Sequence, residues 1–330
     1  MTLTKVLTEG PNNAGYSTII KDLLNKVGGA HSELKAYPNT LRIIGKLSCS
    51  SSCLLGSQQK NLCHREGMPH FLKKYIGDFA AIEDIVSITE MTQPDSIKII
   101  GIANSNIDYV CRIVSALRDL GVKDISTTCA EFSLSDQIFP ALANAGLSRA
   151  TISVHGFSHI EKSSLEMTIN ILRNLDFRSI KVNRVLLASQ ISDLEQMINW
   201  VQENNLTLRL FSLIQTDNNK EYFEKESVHW ASQLPIFKNK IERIEYEEFL
   251  VSNRIKLKML LFGGGIIETN LPTIQSANRL VIIPECRTCK LKSTCEEGYF
   301  GCGIRFGPDS KVYPCLLRPE LSFDFKGRSC

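Results

Sequence analysis

Between residues 40 and 215 the sequence alternates β-prone runs with segments of helical periodicity, and this alternation is its most constraining feature. The apolar run at 96–102 is typical of a buried strand, whereas 107–120 has the spacing of an amphipathic helix that ends at Gly121. About six β/α units follow one another in this way. Repeated units with short links build a parallel sheet with right-handed crossovers. Because a closed barrel needs eight units, the alternation predicts an open, TIM-like partial (β/α)6 barrel.

The predicted elements divide the chain into an N-terminal extension at 1–40, the partial barrel at 41–215 and a C-terminal region at 216–330. Strands are expected at 41–44, 96–102, 124–128, 150–154, 179–187 and 207–213, and helices at 80–92, 107–120, 135–145, 164–175 and 193–204. Residues 216–280 are less regular, with a charged helical face expected at 242–248, and the stretch from Ile282 predicts loops. Ligands of parallel α/β sheets bind at the carboxyl ends of the strands, so the site is expected there.

The composition is that of an ordinary globular protein. Of 330 residues, 43% are hydrophobic and 22% are charged, which allows a full core and excludes global disorder. The formal net charge of +3 creates no field that favours nucleic acid or a membrane surface as a partner. No apolar run reaches the ~18 residues of a transmembrane helix. The N-terminus lacks the apolar core of a secretory signal, so a cytoplasmic protein is expected.

The cysteine content is unusual, because eleven is both a high and an odd number. The cysteines form two groups, with Cys111, Cys129 and Cys330 standing apart. The first group consists of Cys49, Cys53 and Cys63, and the second of Cys286, Cys289, Cys295, Cys302 and Cys315. In a chain without a secretory signal, grouped cysteines indicate metal or cluster ligation rather than disulfides.

The first group follows the first predicted strand, with three residues between Cys49 and Cys53 and nine between Cys53 and Cys63. Three thiolates can hold three irons of a four-iron cluster and leave the fourth iron open to a ligand. A zinc site is the alternative, with His64 beside Cys63 as the fourth ligand.

Further segments along the chain resemble a known family in the order in which they occur. They are 127–130 (TTCA), 144–147 (NAGL), 150–155 (ATISVH), 181–185 (KVNRV) and 208–211 (LRLF). Together with 41–43 and the first cysteine group, these segments are similar to the radical S-adenosylmethionine (radical SAM) enzymes. Among those enzymes the chain resembles the GTP 3′,8-cyclases of molybdenum-cofactor biosynthesis, over roughly 40–215 and the C-terminal cysteines.

This resemblance implies an enzyme of the lyase or oxidoreductase type. A [4Fe–4S] cluster on the first cysteine group would reductively cleave S-adenosylmethionine (SAM) to a 5′-deoxyadenosyl radical. That radical would abstract hydrogen from a small-molecule substrate, a nucleotide being one candidate. An electron donor such as flavodoxin or ferredoxin is also implied. The candidate cofactor-binding residues are Gly101, Asn104, Thr128, His155, Lys181 and Asn183. For His155 the alternatives are a substrate contact and an ordinary loop histidine. Lys181 and Asn183 share one side of a strand by its two-residue period, and the alternative for them is a polar barrel interior.

The second cysteine group begins with a pair separated by two residues, which is a strong ligand signature. Its spacing fits a structural zinc ribbon as well as an iron–sulfur cluster. The resemblance favours an auxiliary [4Fe–4S] cluster on Cys286, Cys289 and Cys315, with Cys295 or Cys302 as a further ligand. Ser310 stands where the family motif before Cys315 has glycine.

Three features depart from the family pattern. The second cysteine gap has nine residues instead of two, Gly101-Ile-Ala-Asn104 replaces Gly-Gly-Glu-Pro, and the chain ends in Ser-Cys instead of Gly-Gly. These departures argue against an orthodox GTP cyclase. The alternatives are a peptide- or sugar-modifying radical SAM enzyme of a specialised pathway, or a non-catalytic barrel protein that binds zinc or an iron–sulfur cluster.

Three arginines are candidate anion contacts. Arg209 lies on the last predicted strand of the barrel, where it is expected to meet an anionic substrate or to pair with a carboxylate. Arg305 and Arg318 flank the end of the second cysteine group and are either phosphate ligands or surface arginines.

Overall fold

The computed structural model describes residues 30–35, 40–45, 79–102, 106–130, 137–154, 156–213, 220–249, 254–272, 288–289, 303–315 and 318–325. The chain divides into two compact units, and one division falls inside a strand. Unit A comprises Asn39–Lys181, Thr216–Asn219 and Gly303–Cys330. Unit B comprises Met1–Pro38, Val182–Gln215 and Lys220–Cys302.

The described strands and helices are numbered here in chain order. The strands are β1 (Ala30–Lys35), β2 (Thr40–Ile44), β3 (Ser96–Ile100), β4 (Ile125–Ala130), β5 (Arg149–Val154), β6 (Ser179–Val185), β7 (Thr207–Phe211), β8 (Ile241–Phe249), β9 (Arg254–Leu261), β10 (Ile266–Pro272), β11 (Ile304–Phe306), β12 (Lys311–Tyr313) and β13 (Phe323–Asp324). The helices are α1 (Ile82–Thr92), α2 (Ile107–Asp119), α3 (Ile138–Asn144), α4 (His159–Asn174), α5 (Leu194–Glu203), α6 (Lys220–Glu226) and α7 (Leu234–Phe237). None of these helices has the length and apolar character needed to cross a membrane.

Unit A contains a sheet in the order β5-β4-β3-β2-β11-β12-β13. Strands β2 to β5 pair in parallel and alternate with helices, and β11 adds to β2 in parallel. Strands β12 and β13 then continue in antiparallel fashion. Alternate residues of β2 and β3, such as Leu41, Ile43, Ile97 and Ile99, are at most 1% exposed. This face therefore carries the core, while the residues between them form a second, more polar face.

Helix α2 shows why these segments fold as the sequence predicts. Its buried residues are Val110, Ile113, Val114 and Leu117, which form one stripe along the helix. The chain leaves the helix at Gly121, whose φ of +83° is a left-handed conformation that glycine adopts without strain.

Unit B contains the strand order β1-β8-β9-β10-β7-β6. Strands β8, β9 and β10 form an antiparallel meander, whereas β10 pairs with β7 in parallel and β1 pairs with β8 in parallel. The turn from β9 to β10 contains Gly263, Gly264 and Gly265, which all have positive φ. The core of this unit includes Met259, Ile267 and Leu208, which are fully buried.

The α/β class with parallel strands is confirmed. Each predicted strand and helix between 41 and 213 is found, with ends shifted by up to five residues. The partial-barrel arrangement and the three-region division stay predictions. The described strands beyond residue 216 belong partly to unit B and partly to unit A.

Two expectations for the C-terminal region are wrong. Residues 242–248 lie in strand β8 and not in a helix, and a bulge between Ile241 and Arg243 breaks the two-residue alternation that would have revealed the strand. The loops expected beyond Ile282 include strands β11, β12 and β13. These strands have three, three and two residues, which is too short for periodicity to show.

Candidate cofactor and substrate site

The carboxyl ends of the parallel strands of unit A form the edge at which a site is expected. Ile44, Ile100, Thr128 and Thr151 lie side by side in register on β2, β3, β4 and β5. The chain continues from β2, β3 and β5 into the segments that carry the first cysteine group, Asn104 and His155, respectively. Cys49, Cys53, Cys63, Asn104 and His155 themselves lie outside the described residues, so their assignments stay predictions.

The segment with the first cysteine group begins and ends at one place in unit A. It leaves β2 after Gly45 and returns at Phe79, whose ring packs on Gly45. A Cβ on Gly45 would lie 2.6 Å from Phe79 Cε1, so any other residue at this position would have to displace the Phe79 ring. Tyr109 stacks against Phe79 with ring centroids 6.4 Å apart, and its hydroxyl donates to the Ala80 carbonyl at 2.8 Å. Burial raises the pKa of Tyr109, which keeps its hydroxyl protonated as a donor.

Gly101 closes β3 in a conformation that suits close contact with a ligand. Its φ is +97°, and a Cβ there would lie 3.0 Å from the Gly45 carbonyl carbon, so the ends of β2 and β3 approach each other closely. The Gly45 amide donates to the Ile100 carbonyl at 2.7 Å. Asn106 is buried and donates from Nδ2 to the Gly101 carbonyl at 3.0 Å. Asn106 was not among the predicted site residues, although its place before α2 is a signal for a helix cap.

Thr128 presents a buried hydroxyl at the same edge. Its Oγ1 is shielded from solvent and has no hydrogen-bond partner among the described residues. Thr127, one residue earlier, points to the opposite face and donates from Oγ1 to the Ile99 carbonyl at 3.0 Å. A buried hydroxyl without a partner costs stability unless a ligand supplies the partner, and the assignment of Thr128 to the cofactor stays a prediction.

Lys181 and Asn183 share one face of β6, with fully buried Val182 between them. Both side chains are half-buried. The Asn183 Oδ1 atom is buried and has no hydrogen-bond partner within the described part of the chain. The division of the chain falls between Lys181 and Val182, so Lys181 belongs to unit A and Asn183 to unit B.

A row of cationic residues crosses the polar face of unit A. Arg305 on β11 is in register with Arg42 on β2, and Arg42 is in register with Lys98 on β3. In-register residues of parallel strands share a face, so three positive charges stand on neighbouring strands. Arg305 is only 1% exposed, while Arg42 and Lys98 are half-buried, and each also interacts with other groups of the chain. Adjacent cations of this kind attract a polyanion.

Arg305 was predicted from the sequence as an anion contact, whereas Arg42 and Lys98 were not. Both are charged residues in the middle of otherwise apolar strands, LRII and SIKII, and that interruption is the signal that could have identified them. Arg318 pairs with Glu320 on the surface, with Nε 2.7 Å from Oε1. Its predicted phosphate contact is not tested by this pairing.

The second cysteine group is described only in part. Cys315 is buried in unit A and Cys289 is half-buried in unit B, and neither forms a disulfide. Cys286, Cys295 and Cys302 lie outside the described residues. Within the described ranges no group of three His, Cys, Asp or Glu side chains converges on a metal-sized site. The assignments of the C-terminal ligands therefore stay predictions.

Comparison with known proteins was made by sequence and by structure. No family model matches the chain. The probable GTP 3′,8-cyclase of Methanothermobacter marburgensis is 23% identical over 306 residues, covering 87% of this chain and 87% of that protein. The probable GTP 3′,8-cyclase of Methanothermobacter thermautotrophicus is 24% identical over 305 residues, covering 86% and 85%. These similarities support a divergent radical SAM member.

Two solved structures are also similar to the chain. Coproporphyrinogen III oxidase (HemN) from Escherichia coli, a radical SAM enzyme, has a TM-score of 0.41 and 11% identity, covering 80% of this chain and 77% of that one. Native anSMEcpe with bound AdoMet has a TM-score of 0.45 and 11% identity, covering 86% and 75%. The resemblance to the radical SAM enzymes is supported by the sequence relatives and not by these two scores.

Proposed function

We propose that the chain is a radical SAM enzyme that cleaves SAM reductively and acts on a phosphate-bearing small molecule. The observation that carries the proposal concerns the edge of unit A. The Thr128 hydroxyl, which has no partner among the described residues, lies there on the strand next to the one that ends at left-handed Gly101. The cysteine segment begins at that same edge, after Gly45. A polar ligand and a metal centre would therefore be held side by side.

The described residues fit SAM. The Gly101 carbonyl already accepts from Asn106 and has a second lone pair for the ammonium group of the methionine moiety. The Thr128 hydroxyl and the Asn183 amide oxygen are buried acceptors that suit the hydroxyl and amino groups of SAM. The Lys181 ammonium suits its carboxylate. These residues bind and orient the cofactor and keep water away from it.

Cys49, Cys53 and Cys63 are the proposed thiolate ligands of the metal centre, and Asn104 and His155 its proposed neighbours at the cofactor. A [4Fe–4S] cluster on those thiolates, with SAM bound, would supply the radical that abstracts hydrogen from the substrate. The electron for this step would come from a protein such as flavodoxin or ferredoxin.

The row of Arg305, Arg42 and Lys98 supports a substrate with several phosphate oxygens. Guanidinium groups such as those of Arg305 and Arg42 bind phosphate bidentately. The ammonium group of Lys98 adds positive charge and requires no particular orientation of the phosphate. The relatives named GTP 3′,8-cyclase make a nucleoside triphosphate the first candidate. The replaced Gly-Gly-Glu-Pro segment leaves a different reaction on such a substrate equally open.

An auxiliary [4Fe–4S] cluster on Cys286, Cys289 and Cys315, completed by Cys295 or Cys302, is part of the proposal. Buried Cys315 follows β12, and β12 is paired with the strand that carries Arg305. Metal at Cys315 would therefore lie in the same unit as the cation row.

The first test measures 5′-deoxyadenosine from SAM after anaerobic purification and reduction with dithionite. We expect the wild type to form it, and the triple Ala variant of Cys49, Cys53 and Cys63 to form none. Cys111→Ala is the matched control, because burial raises the pKa of this helical thiol and makes it a poor ligand. A wild type that binds iron but leaves SAM intact would refute the catalytic proposal and favour a non-catalytic cluster protein.

The second test measures iron and zinc by elemental analysis in the same variants. The triple variant should retain about half the iron of the wild type, because two four-iron clusters become one. Zinc in place of iron in that variant would make the C-terminal site a structural ribbon and contradict the auxiliary cluster.

The third test measures the affinity for inorganic triphosphate by calorimetry. Arg42→Met should weaken binding by about ten- to a hundredfold, the effect of one charge-assisted hydrogen bond. Arg178→Met removes the same charge from an exposed site and should leave the affinity unchanged. Equal affinities of the two variants would contradict a polyanion site on the cation row.

A further inference from the structure

Strand β10 brings a set of polar residues beside Arg209 that the proposed site does not yet use. Glu268 on β10 is in register with Arg209 on β7. Two contacts fix this register, because the Gly265 amide donates to Asn205 Oδ1 at 2.9 Å and the Ile266 amide donates to the Leu206 carbonyl at 2.9 Å. A slip of one residue would move Glu268 to the opposite face of the sheet, so the register is strongly determined.

Asn270 and Phe211 both contact the guanidinium of Arg209, which also interacts with other groups of the chain. Its Nη2 donates to Asn270 Oδ1 over a long 3.4 Å contact, and Asn270 is buried. Its Cζ lies 4.9 Å from the centroid of the Phe211 ring, which is a cation–π arrangement. A planar group that is stacked on one side and bonded at one end has a defined orientation.

The carboxylate of Glu268 has a cation of its own. Glu268 is 2% exposed, and its Oε1 lies 3.3 Å from Lys256 Nζ on β9. A carboxylate buried to this degree needs such a partner, because an isolated buried charge is very costly. Arg209 is therefore not required as the sole counter-ion of Glu268.

We propose that Asn270 and Phe211 are positioning residues that hold Arg209 in the orientation in which it binds an oxyanion. This inference rests on the proposed function, which supplies two sources of that oxyanion, the phosphate of the substrate and the carboxylate of SAM. Arg209 on β7 therefore depends on Asn270 of β10 for part of its orientation. Because the Arg209 side chain is already ordered without the ligand, binding does not lose the conformational entropy of ordering it.

The experiment measures equilibrium dissociation constants of the anaerobically purified holoenzyme for two probes, inorganic triphosphate and SAM. Asn270→Leu removes the acceptor, and Phe211→Leu removes the aromatic face. Each should weaken one probe by about three- to tenfold, the effect of losing one neutral orienting contact. Phe211→Tyr keeps the ring and should restore the wild-type affinity.

Thr269→Val is the matched control. Thr269 lies between Glu268 and Asn270, is 1% exposed and points to the opposite face of β10. This variant disturbs the packing of the same strand without touching Arg209, so both affinities should stay at the wild-type value. Melting temperatures of all variants show whether an affinity change merely follows a loss of folded protein.

Weaker triphosphate binding with unchanged SAM binding identifies the substrate phosphate as the oxyanion, and the reverse identifies the cofactor carboxylate. Unchanged affinity for both probes in Asn270→Leu and Phe211→Leu overturns the proposal, as does a wild type that binds neither probe. The result is independent of catalysis. If the selective loss occurs but no 5′-deoxyadenosine forms, the proposed function fails while the positioning role stands.

Discussion

Replacing Thr128 by Val should make the protein more stable and a weaker binder of SAM at the same time. Valine has nearly the shape of threonine and is equally suited to a strand, so the change removes the hydroxyl and little else. In the structure that hydroxyl is buried and has no partner among the described residues. A polar atom in this position costs stability in the protein without ligand and contributes only when a ligand supplies its partner.

The magnitude follows from that geometry. An unpartnered buried polar group costs about 1–3 kcal/mol, and the methyl group that replaces it adds a small gain of its own. We expect the free energy of unfolding without SAM to rise by about 1 kcal/mol. A hydrogen bond from SAM to the hydroxyl is worth about 0.5–1.5 kcal/mol, so its loss should raise the dissociation constant by about two- to tenfold.

Thr127→Val is the matched control, because it makes the same substitution one residue earlier. Thr127 is 0% exposed and its hydroxyl donates to the Ile99 carbonyl at 3.0 Å. Removing the Thr127 hydroxyl removes its hydrogen bond to the Ile99 carbonyl, so the free energy of unfolding should fall by about 1 kcal/mol. The affinity for SAM should not change. The two neighbouring variants are thus expected to differ in the sign of their effect on stability.

Urea unfolding in the absence of SAM and calorimetric titration with SAM under anaerobic conditions provide the two measurements. If Thr128→Val lowers the stability as Thr127→Val does, the hydroxyl has a structural partner. If Thr128→Val is stabilised but binds SAM like the wild type, the hydroxyl does not contact the cofactor. Either result refutes the assignment of Thr128 to the cofactor site.

Three other predictions test contacts elsewhere in the chain. Arg184→Met should lower the free energy of unfolding in urea by about 3 kcal/mol, because Arg184 is 1% exposed and its partner Asp193 would lose its cation. Arg178 is exposed, so the control Arg178→Met should change that free energy by less than about 0.5 kcal/mol. Ser310→Ala should lower the free energy of unfolding by about 1–2 kcal/mol, because the Ser310 hydroxyl donates to Asp84 Oδ2 at 2.5 Å. Ser310→Gly should lower it by less, because Ser310 has a φ of +55° and glycine relieves that backbone strain. Equal losses in the two variants would contradict this account. Burial lowers the pKa of His229 to about 4, so as the pH falls from 6.5 to 4 the unfolded chain takes up a proton that the folded chain does not. The free energy of unfolding should therefore decrease as the pH falls through that range. His229→Asn should make this decrease smaller, as measured by thermal melts across the pH series.

The sequence by itself predicted the β/α units between residues 41 and 213. Each unit is visible locally, because an amphipathic helix such as α2 repeats its apolar residues every three or four positions and ends at a glycine. The same local signals placed Gly101 and Thr128 at or near the carboxyl ends of strands. The sequence likewise separated the cysteines into two groups, whose roles stay predictions because most of them lie outside the described residues.

The tertiary structure decided which residues from distant segments stand together. The row of Arg305, Arg42 and Lys98 requires that β11 pairs with β2 in one register, and a strand of three residues has no periodicity from which that register follows. Strand β10 is placed against β7 by hydrogen bonds around Asn205, more than 60 residues before the end of β10. Local sequence determines whether a segment becomes a helix or a strand, whereas strand pairing depends on contacts between segments far apart in the chain. For that reason the sequence predicted the scaffold of this protein, and the structure was needed to find the charges that the scaffold brings together.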